Sequence, residues 1–220
     1  MVAPVLLFSM VAHEYAHGYA ALLQGDPTAR NLGRLSWNPI RHIDPFMTIL
    51  VPLVLFLTKA PFLFGGAKPV PVNPRLYRNY RRGDIIVSLA GIAVNLALVP
   101  VCLVLVVAMG LLGRGLPVLN DSAALLQVMF LSGIWINLGL AVFNLLPIPP
   151  LDGSHVIRHL LPPAWELQYR RLYNAGFIVL LVFLTFGRPI LNLWFKPVYF
   201  IGGLATDLVE PLLLLSKWTT

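Results

Sequence analysis

Apolar residues along the chain are gathered in six long runs, which alternate with shorter segments rich in glycine, proline and arginine. The runs are 1–23, 46–64, 85–112, 123–146, 172–186 and, less regularly, 190–215. Because about 20 consecutive apolar residues let a helix cross a bilayer, this pattern predicts an all-α polytopic membrane protein with a core bundle of transmembrane helices. Few residues remain for a separate soluble domain, so we expect one membrane-embedded domain over residues 1–220.

The segments on either side of the second run do not have a helical pattern. The first, GDPTARNLGRLSWNPIRHIDP, is rich in turn-forming residues, and short stretches of it could form strands. The second, GGAKPVPVNPRLYRNYRRGD, carries prolines at alternate positions, which exclude a helix and favour an extended backbone. We therefore expect a small re-entrant or β element between the first and second core helices.

Composition agrees with a membrane protein, since 58% of the residues are hydrophobic, 11% are charged and the mean hydropathy is +0.78. The net charge of +7 would suit a nucleic-acid-binding protein, but the arginines lie in short segments between apolar runs. Basic residues at such positions mark cytoplasmic loops. The charge therefore indicates a multi-pass protein of the cell membrane, with the lipid bilayer and not nucleic acid as its surroundings.

The second apolar run decides the topology. If every run crosses the membrane once, the basic segments before and after 46–64 fall on opposite sides. If this run instead dips into the membrane and returns, aided by Pro52, Lys59 and Pro61, both basic segments lie in the cytoplasm. We prefer the re-entrant topology, although the run is also just long enough to cross.

The stretch HEYAH places His13, Glu14 and His17 within about one turn of the first apolar run. On a helix, residues i and i+4 share a face, so the two imidazoles can converge on one ion while the glutamate lies beside it. This is the H-E-x-x-H arrangement of zinc peptidases, in which the glutamate takes a proton from the attacking water. Each ionisable group near a bilayer centre costs roughly 2.5 kcal/mol or more, which a bound cation would offset. A chance match, or histidines packed between helices, is the weaker explanation.

A third protein ligand is expected near an apolar run. Asp152 stands out among the acidic residues, because FNLLPIPPLDG places it after three prolines and before a glycine, where unwound backbone can aim a carboxylate inward. In the re-entrant topology it lies toward the same cytoplasmic end as His13. The other acidic residues and histidines stay open as candidates.

Together these motifs resemble the site-2 proteases, a family of zinc metalloproteases that cut peptide bonds inside the membrane. The resemblance rests on HEYAH in an early helix, SLAGIAVN (88–95) in a middle helix and NLLPIPPLDG (144–153) in a later one. It covers most of the chain, to about Leu161. Within the family, the chain is similar to a compact prokaryotic branch without appended domains.

The resemblance implies one zinc ion per chain, bound by His13, His17 and Asp152, with Glu14 as general base. It implies that two asparagines, Asn95 and Asn144, hold the substrate backbone or the developing oxyanion. The substrate would be a transmembrane segment of another protein, cut toward the cytoplasmic side in regulated intramembrane proteolysis. GGAKPVPV resembles the family's edge strand, on which a substrate helix unwinds, and a basic lipid-facing loop is the alternative.

Other polar residues have simpler interpretations. His155 stands where the family commonly has an arginine. It could bind the metal itself, or it could contact the metal ligands without binding the metal. We expect His42 and Asp44 to be loop and capping residues, and His159 to be a surface residue near a helix end. The alternative function is a non-enzymatic metal-binding membrane protein, such as a transporter, which has no need of the glutamate in H-E-x-x-H.

Overall fold

The computed structural model describes residues 2–57 and 65–214. Within these residues the regular secondary structure is helical and no strand is formed. The α-helices are α1 (Val2–Gln24), α2 (Thr28–Asn31), α3 (Val51–Leu57), α4 (Tyr80–Gly115), α5 (Asn120–Asn144), α6 (Asp152–Leu160), α7 (Pro163–Leu172), α8 (Gly176–Phe186), α9 (Arg188–Trp194) and α10 (Lys196–Val209). The prediction of a helical protein is confirmed.

Helices α1, α4 and α5 pack together and form the centre of the molecule. α1 buries small side chains such as Ser9, Ala12 and Ala21, and small residues let helix backbones approach closely. α4 and α5 share an apolar core that contains Val106 and Ile134, neither of which has exposed surface. This packing fixes the first apolar run against the third and fourth.

Three helical stretches in the described part of the chain are long and apolar enough to cross a membrane, namely Tyr80–Gly115, Pro117–Asn144 and Pro163–Phe186. They make the chain a multi-pass membrane protein. α1 has 23 residues, enough for about 35 Å at 1.5 Å per residue. It is not one of the three, because the polar side chains of HEYAH lower its mean hydropathy.

The second apolar run begins as a π-helix, Pro45–Leu50, and continues as α3. Residues 58–64, which complete the predicted re-entrant run, lie outside the described residues. The carboxylate of Asp44 accepts hydrogen bonds from Phe46 N and Met47 N, both at 2.9 Å. Asp44 is therefore a helix cap, as predicted.

The backbone beyond this run returns to its start. Gly66 N donates a hydrogen bond to Met47 O at 3.1 Å, and Thr48 Oγ1 donates to Gly66 O at 2.6 Å. Lys68 N then donates to His42 O at 2.7 Å. Residues 65–73 have neither helix nor strand assigned. The alternating prolines correctly predict a non-helical segment, whereas the β element is not confirmed in this part of the chain.

A proline-rich turn after α5 leads into α6, which begins at Asp152. Gly153 packs against the end of α5, where an added Cβ would lie 2.7 Å from Leu146 O and closer still to Leu145 O. A side chain does not fit there. The Asp-Gly pair thus brings the start of α6, and the aspartate with it, against the end of α5.

Candidate metal centre

His13 and His17 lie one turn apart on α1, with their Nε2 atoms 3.0 Å from each other. The other nitrogen of each ring is engaged, because His13 Nδ1 is 2.6 Å from Asn95 Oδ1 and His17 Nδ1 is 2.7 Å from Val87 O. Both partners are oxygen acceptors, which favour a proton on Nδ1. The two Nε2 lone pairs are therefore available at the same place.

Asp152 brings a third donor atom to this place. Its Oδ2 is 3.1 Å from His13 Nε2 and 3.3 Å from His17 Nε2. A carboxylate oxygen and two imidazole nitrogens thus meet at one point, and both kinds of group are protein ligands of zinc.

This donor set fits zinc. Ligands bound tetrahedrally at about 2.0–2.1 Å are about 3.3 Å from one another, and the three separations here are 3.0, 3.1 and 3.3 Å. Among the described residues, these three side chains form the one group of histidine, cysteine and acidic residues spaced to hold a metal. Three protein ligands leave a fourth position open, as in catalytic rather than structural zinc sites.

Glu14 lies beside the three donors. Its Oε2 accepts a hydrogen bond from Val70 N at 2.8 Å, within the segment 65–73. Together with His13 and Asn144, it borders a cavity of about 150 Å³, which has room for several water molecules. A carboxylate in this position can accept a proton from a water molecule in the cavity.

Asn95 lies behind His13 and has no exposed surface. Its Oδ1 contacts the imidazole, and its Nδ2 donates to Asn137 Oδ1 at 2.8 Å. Both polar atoms of the Asn95 amide are therefore engaged within the protein. Sequence reasoning did not single out Asn137, although an amide within the run 123–146 is a signal, since it needs a partner in a membrane.

Gly91 of α4 faces both histidines. A Cβ at this position would lie 2.5 Å from His13 Cε1 and 2.5 Å from His17 Nε2. Any side chain here would therefore push the imidazoles out of place. Gly91 belongs to the motif SLAGIAVN, but its contact with the histidines depends on how α4 is rotated against α1, which the motif does not reveal.

A second polar cluster joins α6 to the start of α4. Asp84 is 3% exposed, and its Oδ2 contacts three side chains of α6: Arg158 Nη2 at 2.6 Å, His159 Nε2 at 2.8 Å and His155 Nδ1 at 3.5 Å. The prediction of His159 as a surface residue is wrong, because the buried carboxylate gives it a partner between the helices. His155 also contacts Tyr173 and is not in the metal-binding group.

Comparison with known proteins supports a protease. The model of "Peptidase family M50" matches residues 115–186. The chain is 41% identical over 177 residues to "Putative zinc metalloprotease YwhC" of Bacillus subtilis, across 80% of this chain and 76% of that protein. Two proteins named "Putative zinc metalloprotease Rip2" also match: that of Mycolicibacterium smegmatis at 31% identity over 193 residues (86% and 67%), and that of Mycobacterium tuberculosis at 32% over 202 residues (91% and 71%). No solved structure matches the chain.

These similarities extend over most of the chain and over two thirds or more of each relative. None of them favours a non-enzymatic transporter. The protein substrate and membrane setting that the sequence predicts agree with a membrane peptidase. The chain belongs to peptidase family M50, the site-2 protease family, and is an intramembrane zinc metalloprotease.

Proposed function

We propose that the chain hydrolyses peptide bonds within transmembrane segments of other proteins, with His13, His17 and Asp152 as its zinc ligands. The observation that carries this proposal is the convergence of three electron-pair donors beside a glutamate in a cavity. Zinc, when bound, supplies Lewis acidity that lowers the pKa of water and polarises a carbonyl group. A structural zinc site would have a fourth protein ligand.

Glu14 acts as the general base. The hydrogen bond from Val70 N to Oε2 fixes the carboxylate, and Oε1 takes the proton from the attacking water. The same group then returns the proton to the leaving amine. Asn144 borders the same cavity. One N–H of its amide donates to Leu140 O at 3.0 Å, and the other donates to the developing oxyanion. Asn95 instead fixes the orientation and tautomer of His13.

The segment 65–73 receives the substrate. A helical substrate hides its amides in internal hydrogen bonds, so it must unwind before hydrolysis, and an extended partner replaces part of the lost bonding. Alternate amides of this segment, at positions 66, 68 and 70, donate toward the protein. The opposite edge, at Ala67, is left for the substrate. Pro69 and Pro71 provide no donor, so carbonyl oxygens supply most of the pairing.

The active site opens toward the cytoplasmic side, and the run 46–64 re-enters the membrane. The hydrogen bonds between Gly66 and both Met47 and Thr48 support this arrangement, because they join the two ends of the run. A run that crossed the bilayer would have ends about 30 Å apart. The basic segments before and after it then lie on one side.

Zinc content and cleavage of a helical transmembrane substrate, both measured in detergent, test the proposed roles. The wild-type protein is expected to bind one zinc per chain. Glu14→Gln is expected to keep zinc and lose several orders of magnitude in rate, because the proton acceptor is gone. Asp152→Asn is expected to lose zinc affinity and cleavage together, because a neutral amide is a weaker ligand. Retention of both by Asp152→Asn would exclude Asp152 as the third ligand and make His155 the residue to test.

A further inference from the structure

An apolar cavity of about 480 Å³ lies between α1, α5 and the C-terminal helices. Its walls include Leu6, Trp135, Gly139, Leu184 and Phe195. No charged side chain of the described residues lines it. A space of this volume falls in the range of ligand pockets, about 300–1,000 Å³.

This cavity adjoins the one that contains Glu14. Both are lined by the same five residues: Met10, Gly65, Gly66, Leu140 and Phe143. The shared wall includes two consecutive glycines, and at one of them, Gly66, an added Cβ would meet no atom within 4 Å. The larger cavity is therefore an extension of the proposed active site, and an occupant of the smaller one reaches it directly.

We propose that the larger cavity is the specificity pocket of the enzyme and receives a bulky apolar side chain, such as that of leucine or phenylalanine, beside the scissile bond. This inference rests on the proposed function and adds the substrate feature that the site selects. In an extended peptide, successive side chains point in opposite directions. A peptide bond held beside Glu14 thus directs one flanking side chain toward the adjoining cavity.

The shape of the walls sets the preference. Inside a bilayer an apolar side chain gains little by leaving lipid, so selection depends on packing and shape rather than on removal from water. A large side chain that fills the space makes contacts that alanine cannot make. The substrate is thereby selected for a large apolar residue at one position, in addition to an ability to unwind.

Gly139 gives the cavity part of its width. A Cβ added there would meet no atom within 4 Å, so a side chain at this position extends into open space without displacing a neighbour. Gly203 of α10 has the same freedom but does not line the cavity. The two glycines provide a cavity-filling site and a matched control.

The test compares wild type with Gly139→Ala, Gly139→Phe and Gly203→Phe. Each purified protein is given two sets of transmembrane substrates in detergent, one set for each residue flanking the scissile bond. Each set carries alanine, leucine or phenylalanine at that residue, and cleavage sites are read by mass spectrometry. Wild type is expected to prefer the large side chains at one flanking position. Gly139→Phe is expected to lower kcat/KM for them at least about 10-fold while alanine substrates are still cut. Gly139→Ala should have a smaller effect, and Gly203→Phe none.

Zinc content and cleavage of the alanine substrate report whether each variant is folded. If Gly139→Phe lowers cleavage of all substrates equally while its zinc content is normal, the proposal is overturned. It is also overturned if Gly139→Phe keeps the wild-type preference for large side chains, and a lipid chain would then be the occupant of the cavity. If the proposed function itself fails, wild type and Glu14→Gln will show the same lack of metal-dependent cleavage, before any preference is measured.

Discussion

A chain of amides that crosses the bundle holds His13. Asn95 connects the imidazole to Asn137, whose Nδ2 donates to Gly133 O at 2.9 Å within α5. Partners of this kind fix the ring and tautomer of a metal-binding histidine, and their loss typically reduces metal affinity or activity about 10–100-fold. The zinc geometry thus depends on side chains that do not reach the metal.

Asn95 and Asn144 are expected to affect different steps. Asn95→Ala should weaken zinc binding about 10–100-fold, because His13 loses its acceptor. Asn144→Ala should keep zinc and lower kcat about 100-fold, since a lost oxyanion donor raises only the barrier. Titration with a chromophoric chelator and steady-state cleavage measure the two effects. A normal zinc affinity with a raised KM in Asn95→Ala would instead mean that Asn95 contacts substrate.

Gly91→Ala is expected to weaken zinc binding at least about 10-fold. The added methyl group would overlap both imidazoles, and overpacking of this kind costs roughly 1–3 kcal/mol. Gly115→Ala on the same helix is the control, because a Cβ there meets no atom within 4 Å. Equal zinc affinity in the two variants would show that the histidines accommodate a side chain at position 91.

Local periodicity explains what could be predicted at this scale. The i, i+4 spacing of His13 and His17 follows from helix geometry alone, and the break before Asp152 follows from its prolines. The structure brings these three side chains together. The buried position of Asn95 and the contact of Gly91 depend on the rotation of one helix against another, which no local pattern records.

The position of α6 depends on its neighbours. It has nine residues and carries Asp152 at its first position, so it cannot hold this proposed metal ligand in place by its own stability. Asp84 of α4 contacts Arg158 and His159 on it, and Arg81 donates to His159 O. The buried ion pair thus joins α4, which carries Gly91, to α6, which carries Asp152.

Asp84→Asn is expected to destabilise the protein by about 3–5 kcal/mol, because the largely buried Arg158 guanidinium loses its charged partner and keeps the neutral Tyr80 hydroxyl as an acceptor. Zinc affinity should fall as well, since α6 is no longer joined to α4 by an ion pair. The control is Glu166→Gln, which breaks a more exposed pair with Arg170 and should cost less than about 1 kcal/mol. Thermal unfolding in detergent with and without zinc measures both effects. Similar unfolding temperatures for the two variants would contradict a stabilising role for the Asp84–Arg158 ion pair.

Helices were predictable where apolar runs are long, and less so elsewhere. The run 85–112 lies within α4, and the run 123–146 lies within α5 except for its last two residues, because their length leaves little alternative in a membrane. The run 172–186 is only the second part of the stretch Pro163–Phe186, since the first part, PAWELQYRRL, is polar. The described part of the run 190–215 is divided between α9 and α10, and the division falls at Lys196 and Pro197, where proline is typical of a helix start.

At the scale of the whole molecule, the two basic segments are brought near each other. Arg34, from the first, donates to Lys68 O at 3.1 Å in the second. The contact agrees with both segments lying on one side of the membrane, which is what their charge favours. The re-entrant topology itself stays a prediction. Charge and hydropathy permit either path for residues 58–64.

Cysteine labelling tests the topology. In a Cys102→Ala background, cysteines at the exposed positions Asn31 and Leu76 are expected to react only with reagent on the cytoplasmic side. A cysteine at Val118, between α4 and α5 and 96% exposed, should react only from the opposite side, because α4 is long enough to cross. Labelling of Asn31 and Leu76 positions from opposite sides would reject the re-entrant run.

The hydrogen bond from Val70 to Glu14 also constrains the length of the loop that supplies it. Pro69 and Pro71 flank Val70, and proline has no N–H. A slip of the backbone by one residue in either direction would put a proline nitrogen opposite Oε2 and leave the carboxylate without its donor. An insertion or deletion between Gly66 and Val70 would therefore remove the donor that holds the proposed general base without altering Glu14 itself, so the register of this loop is part of the proposed active site.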